Sequence, residues 1–258
     1  MYPIDLEGKT AVVFGVANHR SIAWAVAKIL HQAGAKLAIA YQNERVRDTV
    51  TKLVESWEDV LLLECDVTSD ANVEKAYDQL NNEFGRLDTI IHSIAFANKD
   101  DLGGPFLNTG REGFRLALDV SAYSLVPVCR YGAPMMAPDG GNIVTMTFQA
   151  SSRVFPGYNV MGTAKAALEN EVKQIASDLG EEGIRINAIS AGPLDTLSSR
   201  AISRYRDMKK VHEERSPMKR NITVDEVAKT ALYLCSDLAS GVTGEIIHVD
   251  TGYNVMGL

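Results

Sequence analysis

The stretch Lys9-Thr10-Ala11-Val12-Val13-Phe14-Gly15, followed after a short gap by Ser21-Ile22-Ala23-Trp24-Ala25-Val26, decides the fold. A short apolar run that stops at a glycine is typical of a buried strand followed by a tight turn. Ser21 stands where a helix N-cap is expected, and apolar residues recur behind it at helical spacing as far as Ala33. The stretch therefore predicts a strand, a glycine turn and a helix.

The same alternation continues along the rest of the chain. Further strands are predicted at 36–40, 60–64, 88–92, 142–147, 184–189 and 245–249, and helices at about 44–56, 70–84, 111–137 and 158–179. Strands that alternate with helices indicate a parallel sheet with both faces covered, and ligands bind at the carboxyl ends of its strands. We expect an α/β fold: one doubly wound, Rossmann-like domain over 1–258 with about seven parallel strands. An irregular helical excursion at about 193–223 is expected to cover the site.

Composition limits the classes of function. The chain has 258 residues, 46% hydrophobic and 23% charged, so it can bury a large core, and its net charge of −7 disfavours nucleic acid as a partner. The N-terminus lacks a basic segment followed by an apolar run, and no apolar run reaches the length of a membrane span, so we expect a cytoplasmic protein without a membrane partner. The three cysteines and five histidines are scattered, which favours packing roles and predicts no metal site.

One segment has the opposite charge from the rest of the chain. Between Arg200 and Arg220 there are eight basic residues and three acidic ones. A solvated helix face explains such a run, and so does a docking surface for an acidic partner.

The strand ends supply candidate cofactor contacts. Gly15 to Ser21 suits a pyrophosphate at a helix N-terminus, although a plain connection between strand and helix would look the same. Gln42 follows the second strand, where an adenosine ribose is expected; its neutral side chain favours NADH, while nearby Arg45 leaves NADPH open. Asp66 and Val67 follow the third strand, where they would contact adenine or cap the next helix.

Small residues and one histidine follow the fourth strand. The run from His92 to Asn98 provides the close backbone approach that a nicotinamide riboside needs, and His92 itself is expected to pack. After the sixth strand, Ser190 to Leu197 forms a rigid turn around Pro193, whose free backbone groups suit a carboxamide.

Tyr158 and Lys165 stand at the start of a predicted helix. Seven residues of helix turn through about 700°, so both side chains would point nearly the same way and reach one ligand. A tyrosine can donate a hydrogen bond to an oxygen that gains charge, and a nearby ammonium favours that charge. Taken alone, the pair also fits a packed ring and a solvated amine.

Taken together, these motifs resemble one family. The set Gly15 with Ser21-Ile22-Ala23, Asp66-Val67, His92 to Ala97, Tyr158 with Lys165, Ser190 to Pro193 and Gly244 to Asp250 is similar to the enoyl-acyl-carrier-protein reductases of bacterial fatty acid synthesis. These form a divergent branch of the short-chain dehydrogenase/reductases. Ordinary members of that superfamily place three residues between the tyrosine and the lysine, and the six found here are typical of this branch. The resemblance runs in order over nearly the whole chain.

The resemblance implies an activity and a set of site residues. It implies reduction of trans-2-enoyl thioesters on acyl carrier protein by NADH, with NADPH less favoured, in a homotetramer. Tyr158 would contact the thioester carbonyl, Lys165 would hold the nicotinamide ribose, and Ala97 would contact the acyl chain. The implied cofactor contacts are Gly15, Ser21, Ile22, Gln42, Asp66, Val67, Ile94, Lys165, Leu194, Asp195, Thr196, Leu197 and Ser198. The family also places the basic segment at the mouth of the acyl pocket, where Arg204 and Arg206 would meet the carrier protein.

Two positions depart from the family pattern. Phe148 stands where many members carry a second tyrosine, although the mycobacterial branch resembles this chain there, and Asp195 stands where an arginine is frequent. A phenyl ring cannot donate a hydrogen bond, and a carboxylate near a pyrophosphate is expected to weaken cofactor binding. Two alternatives stay open. One is a ketoreductase or alcohol dehydrogenase on the same fold, against which the six-residue spacing counts, and the other is a nucleotide-sensing protein without catalysis, which these two departures favour.

Overall fold

A computed structural model describes residues 4–136, 140–196, 199, 202 and 205–257. The strands are β1 (Thr10–Phe14), β2 (Lys36–Tyr41), β3 (Leu61–Glu64), β4 (Thr89–His92), β5 (Gly141–Thr147), β6 (Ile184–Ala191) and β7 (Ile246–Val249). The α-helices are α1 (Ile22–Gln32), α2 (Glu44–Val54), α3 (Asp70–Phe84), α4 (Arg111–Leu118), α5 (Leu125–Met136), α6 (Val160–Leu179), α7 (Tyr205–Arg215) and α8 (Val224–Leu234). No helix within these described ranges is long and apolar enough to cross a membrane.

The seven strands form one parallel sheet, as predicted. Their order is β3-β2-β1-β4-β5-β6-β7, and every neighbouring pair is parallel. The last residue of β1, Phe14, pairs with Ala40 on one side and His92 on the other, so these three strands end at the same level. The chain reverses its direction of travel across the sheet between β1 and β4, and a crevice opens there at the carboxyl ends.

Alternate residues of β1 enter the two cores of the molecule. Ala11 and Val13 pack with the apolar faces of α1 and α8, whereas Val12 and Phe14 pack with α3, α5 and α6. All four side chains are buried, because successive residues of a strand point to opposite faces of the sheet. Two helical layers therefore hold the sheet rigidly beneath the crevice.

The long helix expected at about 111–137 is wrong as one element. A π-helical turn at Asp119–Tyr123 separates α4 from α5, and residue 137 lies outside the described part of the chain. The Ser124 N–H donates to the Asp119 carbonyl five residues earlier, which inserts one residue into the turn. The turn directs two hydroxyls to the end of β4: Ser124 bonds His92, and Ser121 bonds the backbone of Phe96.

The helix α8 was not predicted from the sequence. This helix follows the excursion expected at 193–223, in which the described residues include α7. Thr223 and Glu226 form a capping box at the start of α8, and their Thr-x-x-Glu spacing in the sequence could have predicted this helix start. The buried residues Val227, Ala228, Ala231 and Leu234 then follow at helical spacing.

Candidate active site

A cavity of about 530 Å³ lies at the carboxyl ends of the strands. Its wall includes residues that follow β1, β2, β3, β4, β5 and β6, together with side chains from the start of α6 and from α7. The predicted site residues found in this wall are Gly15, Ser21, Ile22, Gln42, Asp66, Val67, Ile94, Phe148, Tyr158, Lys165, Leu194 and Thr196. The sheet therefore brings residues that are distant in sequence to one crevice.

Two of the predicted site residues that the structure describes do not line the cavity. Ala97 is half-buried on the loop after β4, one residue beyond Phe96, which does line the cavity. Asp195 is exposed beside the wall residues Leu194 and Thr196. Two more, Leu197 and Ser198, lie outside the described residues, and so do Arg200 and Arg204 of the basic segment.

At one end of the cavity, the turn after β1 leads into α1. Gly15 has φ of 99°, and a β-carbon there would lie 2.0 Å from the Ser93 carbonyl oxygen, so only glycine fits. Ser21 is the N-cap of α1, as predicted, but its hydroxyl donates to the Asn18 carbonyl at 2.7 Å and caps no helical N–H. The first turn of α1 also carries no acidic side chain, which leaves its N–H groups suited to a phosphate.

The ends of β2 and β3 form the part of the cavity expected to meet an adenosine. Gln42 is exposed there, and the nearby Arg47 guanidinium pairs with Glu44 at 3.0 Å. Asp66 does not cap α3, because Ser69 accepts the helical N–H of Asn72 instead. The Asp66 carboxylate accepts from the N–H and hydroxyl of Thr68, which fixes it in the wall beside Val67.

Lys165 is buried in the cavity wall with only 4% of its surface exposed. Its Nζ donates to the Met146 carbonyl at 2.8 Å, which uses one of its three donors. Burial lowers the pKa of Lys165 to about 8, and Glu169 opposes that shift. The ammonium is therefore held rigidly, with donors left for a ligand.

Tyr158 precedes the helix rather than lying on it. The helix α6 begins at Val160, two residues after the predicted start at about 158, and Asn159 turns the chain with φ of 41°. Tyr158 and Lys165 still line one cavity. Burial, with a smaller contribution from Tyr205, raises the pKa of Tyr158 well above its ordinary value, so the phenol stays protonated and can donate.

His92 packs, as the sequence analysis expected. It is fully buried between the Thr145 hydroxyl at 3.0 Å and the Ser124 hydroxyl at 2.9 Å. Burial, assisted by the positive charge of Lys165, lowers the pKa of His92 to about 3, so the ring is neutral. A neutral imidazole with both nitrogens hydrogen-bonded supports the backbone at the end of β4.

The helix α7 closes one side of the cavity, and its contributions were missed from the sequence. Tyr205 and Met208 line the cavity, and the Tyr205 hydroxyl donates to the Leu194 carbonyl at 2.5 Å. One turn later, Lys209 Nζ lies 2.5 Å from Asp195 Oδ2. Tyr205 and Met208 could not be recognised as cavity residues from the sequence, because single aromatic or apolar residues within a basic segment also occur on exposed helices.

Comparison with known proteins agrees with this geometry. The family model described as "Enoyl-(Acyl carrier protein) reductase" matches residues 15–254. The chain belongs to the enoyl-acyl-carrier-protein reductase family. It is 50% identical over 254 residues to the Bacillus cereus enoyl-[acyl-carrier-protein] reductase [NADH] FabI, covering 98% of this chain and 99% of that protein. It is 49% identical over 255 residues to the Staphylococcus aureus (strain MRSA252) enoyl-[acyl-carrier-protein] reductase [NADPH] FabI, covering 98% and 99%.

Solved structures of this reductase family share the whole fold. The Bacillus cereus enoyl-acyl carrier protein reductase with NADP+ and indole naphthyridinone superposes with a TM-score of 0.96 at 49% identity, covering 98% of this chain and 100% of that one. The enoyl-[acyl-carrier-protein] reductase (NADH) from Aquifex aeolicus gives a TM-score of 0.95 at 42% identity, covering 98% and 99%.

Phe148, the first departure from the family pattern, contacts the candidate catalytic tyrosine. Its ring centroid lies 5.0 Å from that of Tyr158 at 58°, and 4.7 Å from that of Phe155 at 51°. Tilted aromatic pairs at this separation attract one another beyond their simple burial. A residue that cannot donate in an enoyl reductase site therefore still restrains the ring of Tyr158.

Asp195, the second departure, is paired. Lys209 neutralises its charge, and the exposed position of the carboxylate screens it further. The repulsion of a pyrophosphate expected from the sequence is accordingly reduced in this member of the reductase family.

Proposed function

We propose that this protein reduces trans-2-enoyl thioesters on acyl carrier protein with NADH, in the elongation cycle of bacterial fatty acid synthesis. The observation that carries the proposal is the pairing of a protonated Tyr158 phenol with the buried Lys165 ammonium in one cavity. We also propose that residues 1–258 form one domain.

The residues present fit a dinucleotide cofactor. The uncapped start of α1 suits its pyrophosphate, the wall around Gln42 and Asp66 suits its adenosine, and the spare donors of Lys165 suit its nicotinamide ribose. When bound, NADH would supply the hydride for the β-carbon of the enoyl group, and solvent water would supply the proton that the α-carbon takes up.

This chain's own residues stabilise the charge that develops on the thioester. Tyr158 donates a hydrogen bond to the carbonyl oxygen, which becomes an enolate oxygen as the β-carbon is reduced. A donor aimed at the site of developing charge lowers the barrier more than it tightens substrate binding. Lys165 adds a positive charge to the wall of the same cavity, and the Phe148 ring packs against the Tyr158 ring.

The choice between NADH and NADPH depends on the end of β2. Of two relatives with similar identity to this chain, one is named for NADH and the other for NADPH, so overall similarity does not decide the cofactor. Gln42 has no charge to neutralise a 2′-phosphate, and Arg47 is occupied by Glu44. These two observations favour NADH.

The direct test follows cofactor absorbance with crotonyl thioester and either NADH or NADPH. We expect a higher kcat/KM with NADH than with NADPH. Turnover only with a 3-oxoacyl thioester would identify a ketoreductase instead, and NADH binding without turnover of either substrate would identify a nucleotide sensor.

We also propose that the protein is a cytoplasmic homotetramer. Phe114 of α4 and Tyr123 of the π-helical turn are exposed, and they offer apolar surface for contact between subunits. Light scattering coupled to size-exclusion chromatography should give a molar mass four times that of the 28.1 kDa chain. A monomeric mass would exclude the tetramer and leave the proposed reaction untouched.

A further inference from the structure

Asn159 separates Tyr158 from α6 and has an unusual backbone conformation. Its φ of 41° and ψ of −122° lie in a region that side chains rarely adopt, and glycine is the residue that accepts it readily. Gly157, two residues earlier, also has a positive φ of 88°. Backbone strain of this kind persists only where surrounding contacts hold it, and it concentrates at functional sites.

The contacts that hold Asn159 come from the loop between β4 and α4. The Asn159 Nδ2 donates to the Gly103 carbonyl at 2.6 Å and to the Gly104 carbonyl at 3.2 Å. In return, the Gly103 N–H donates to the Gly157 carbonyl at 3.2 Å. Both glycines have positive φ, of 85° and 62°, which directs consecutive carbonyls toward one amide. We call these three hydrogen bonds the amide clasp.

The clasped loop also forms part of the cavity. It leaves β4 through Ile94 and Phe96, which line the wall, and Ser121 fixes Phe96 by accepting from its N–H and donating to its carbonyl, both at 2.9 Å. The amide clasp is the second attachment, further along the same loop. The loop is thus joined at its start to the π-helical turn and at its middle to the residue next to Tyr158.

We propose that Asn159 is a positioning residue that fixes both the 99–109 loop and the Tyr158 phenol in place. Its side chain holds the loop against the active site, and its constrained backbone directs Tyr158 into the cavity. The inference rests on the proposed enoyl reduction for its kinetic consequence, while the clasp itself is measured independently of any reaction.

Two substitutions separate the roles of the side chain and the backbone. Asn159→Gly accepts the same φ without strain but lacks the amide donor. Asn159→Asp keeps the shape and the tolerance of positive φ, but it replaces the donor by an oxygen facing two carbonyls. Asn108→Asp makes the same chemical change at an exposed residue of the same loop and serves as the matched control.

Hydrogen exchange by mass spectrometry reads the clasp in the full-length protein without substrate. We expect exchange of the peptide spanning 99–109 to rise about tenfold or more in Asn159→Gly and Asn159→Asp, and to stay at the wild-type rate in Asn108→Asp, apart from intrinsic sequence effects. Wild-type exchange in both Asn159 variants would overturn the proposal.

Kinetics then test the coupling to the tyrosine. We expect Asn159→Asp to lower kcat about tenfold with both crotonyl and dodecenoyl thioesters, and to raise KM severalfold for the dodecenoyl thioester alone. The NADH Kd should change less than twofold, whereas general damage to the fold would weaken NADH binding as well. Faster loop exchange with unchanged kcat would refute the coupling. Absence of wild-type enoyl reduction would instead refute the proposed function, and the exchange result would still decide the clasp.

Discussion

Lys209 of α7 and Asp195 of the segment after β6 form an ion pair with 2.5 Å between Nζ and Oδ2. One turn earlier, Tyr205 donates to the carbonyl of Leu194, so two successive turns of α7 hold two successive residues. Leu194 lies in the cavity wall. The charge that departs from the family pattern at position 195 therefore fastens the helix that covers the site.

The ion pair predicts a coupled effect on α7. Asp195→Ala and Lys209→Ala should each speed hydrogen exchange of the 205–215 peptide between about 1.4-fold and fivefold, because a partly exposed ion pair contributes about 0.2–1 kcal/mol. The double variant should show no further increase. Lys210→Ala is the control, since Lys210 pairs only weakly with Glu214 on the same helix, at 3.8 Å. Fully additive effects would mean that the two residues act separately.

Removal of the Tyr158 hydroxyl should impair chemistry rather than cofactor binding. We expect Tyr158→Phe to lower kcat about 10- to 1000-fold, because one donor aimed at developing charge is worth about 1.4–4 kcal/mol. NADH affinity, measured by calorimetry, should stay nearly constant. Tyr253→Phe, a change in the same aromatic cluster, should keep near-normal turnover. A Tyr158→Phe enzyme as active as wild type would refute the catalytic assignment.

The lowered pKa of Lys165, about 8, predicts a pH dependence of cofactor binding. Below pH 8 the amine is charged and donates charge-assisted hydrogen bonds, and above pH 8 it loses its proton and that attraction. The NADH Kd should therefore rise as the pH passes 8, and bound cofactor should shift the midpoint upward by favouring the charged form.

A variant checks that Lys165 is the titrating group. Lys165→Met should raise the NADH Kd about ten- to a hundredfold at pH 7, since a hydrogen bond to a charged group contributes about 1.5–3 kcal/mol, and it should remove the rise above pH 8. Lys173→Met, on the exposed face of α6, should behave as wild type. Unchanged affinity with lost turnover would show that Lys165 acts on the chemistry.

The sheet and most of the cavity wall were predictable from the sequence, because both depend on local patterns. Apolar runs specify buried parallel strands, and the carboxyl ends of those strands must meet at one edge. Gly15, Gln42 and Asp66 could be placed in the wall for that reason, since each follows a strand.

The remaining features depend on contacts between distant segments. The Lys209–Asp195 pair requires α7 to fold back onto the segment after β6, and the bonds of Asn159 require the loop after β4 to reach the start of α6. Neither arrangement leaves a periodic signal in the sequence. The π-helical turn also leaves no periodic signal, because the hydrogen bond that stabilises it joins the Ser124 hydroxyl to His92 in another element.

Cofactor preference should respond to one side chain at the end of β2. Wild-type protein should prefer NADH, because Gln42 offers only neutral hydrogen bonds to a ribose. Gln42→Arg should narrow or reverse the ratio of kcat/KM between NADH and NADPH, and Gln42→Glu should widen it by repelling the 2′-phosphate. A wild-type preference for NADPH would indicate that Arg45 or another cation contacts that phosphate.

The basic segment predicts how the carrier protein approaches. We propose that its exposed charges attract acyl carrier protein. Arg206 is an exposed basic residue at the start of α7, next to Tyr205 in the cavity wall. Charges at the rim of an interface mainly speed encounter, and salt screens them over about 8–10 Å.

Charge reversal at this position should discriminate between substrates. Arg206→Glu, alone or with Arg204→Glu, should raise KM for an enoyl carrier-protein substrate severalfold and leave KM for crotonyl thioester nearly unchanged. Added salt should shrink the difference, because it screens wild-type attraction and variant repulsion alike. Lys52→Glu, which makes the same reversal in the last turn of α2, controls for net charge. Equal losses with both substrates would mean that Arg206 shapes the pocket or stabilises α7, and docking would then depend on another surface.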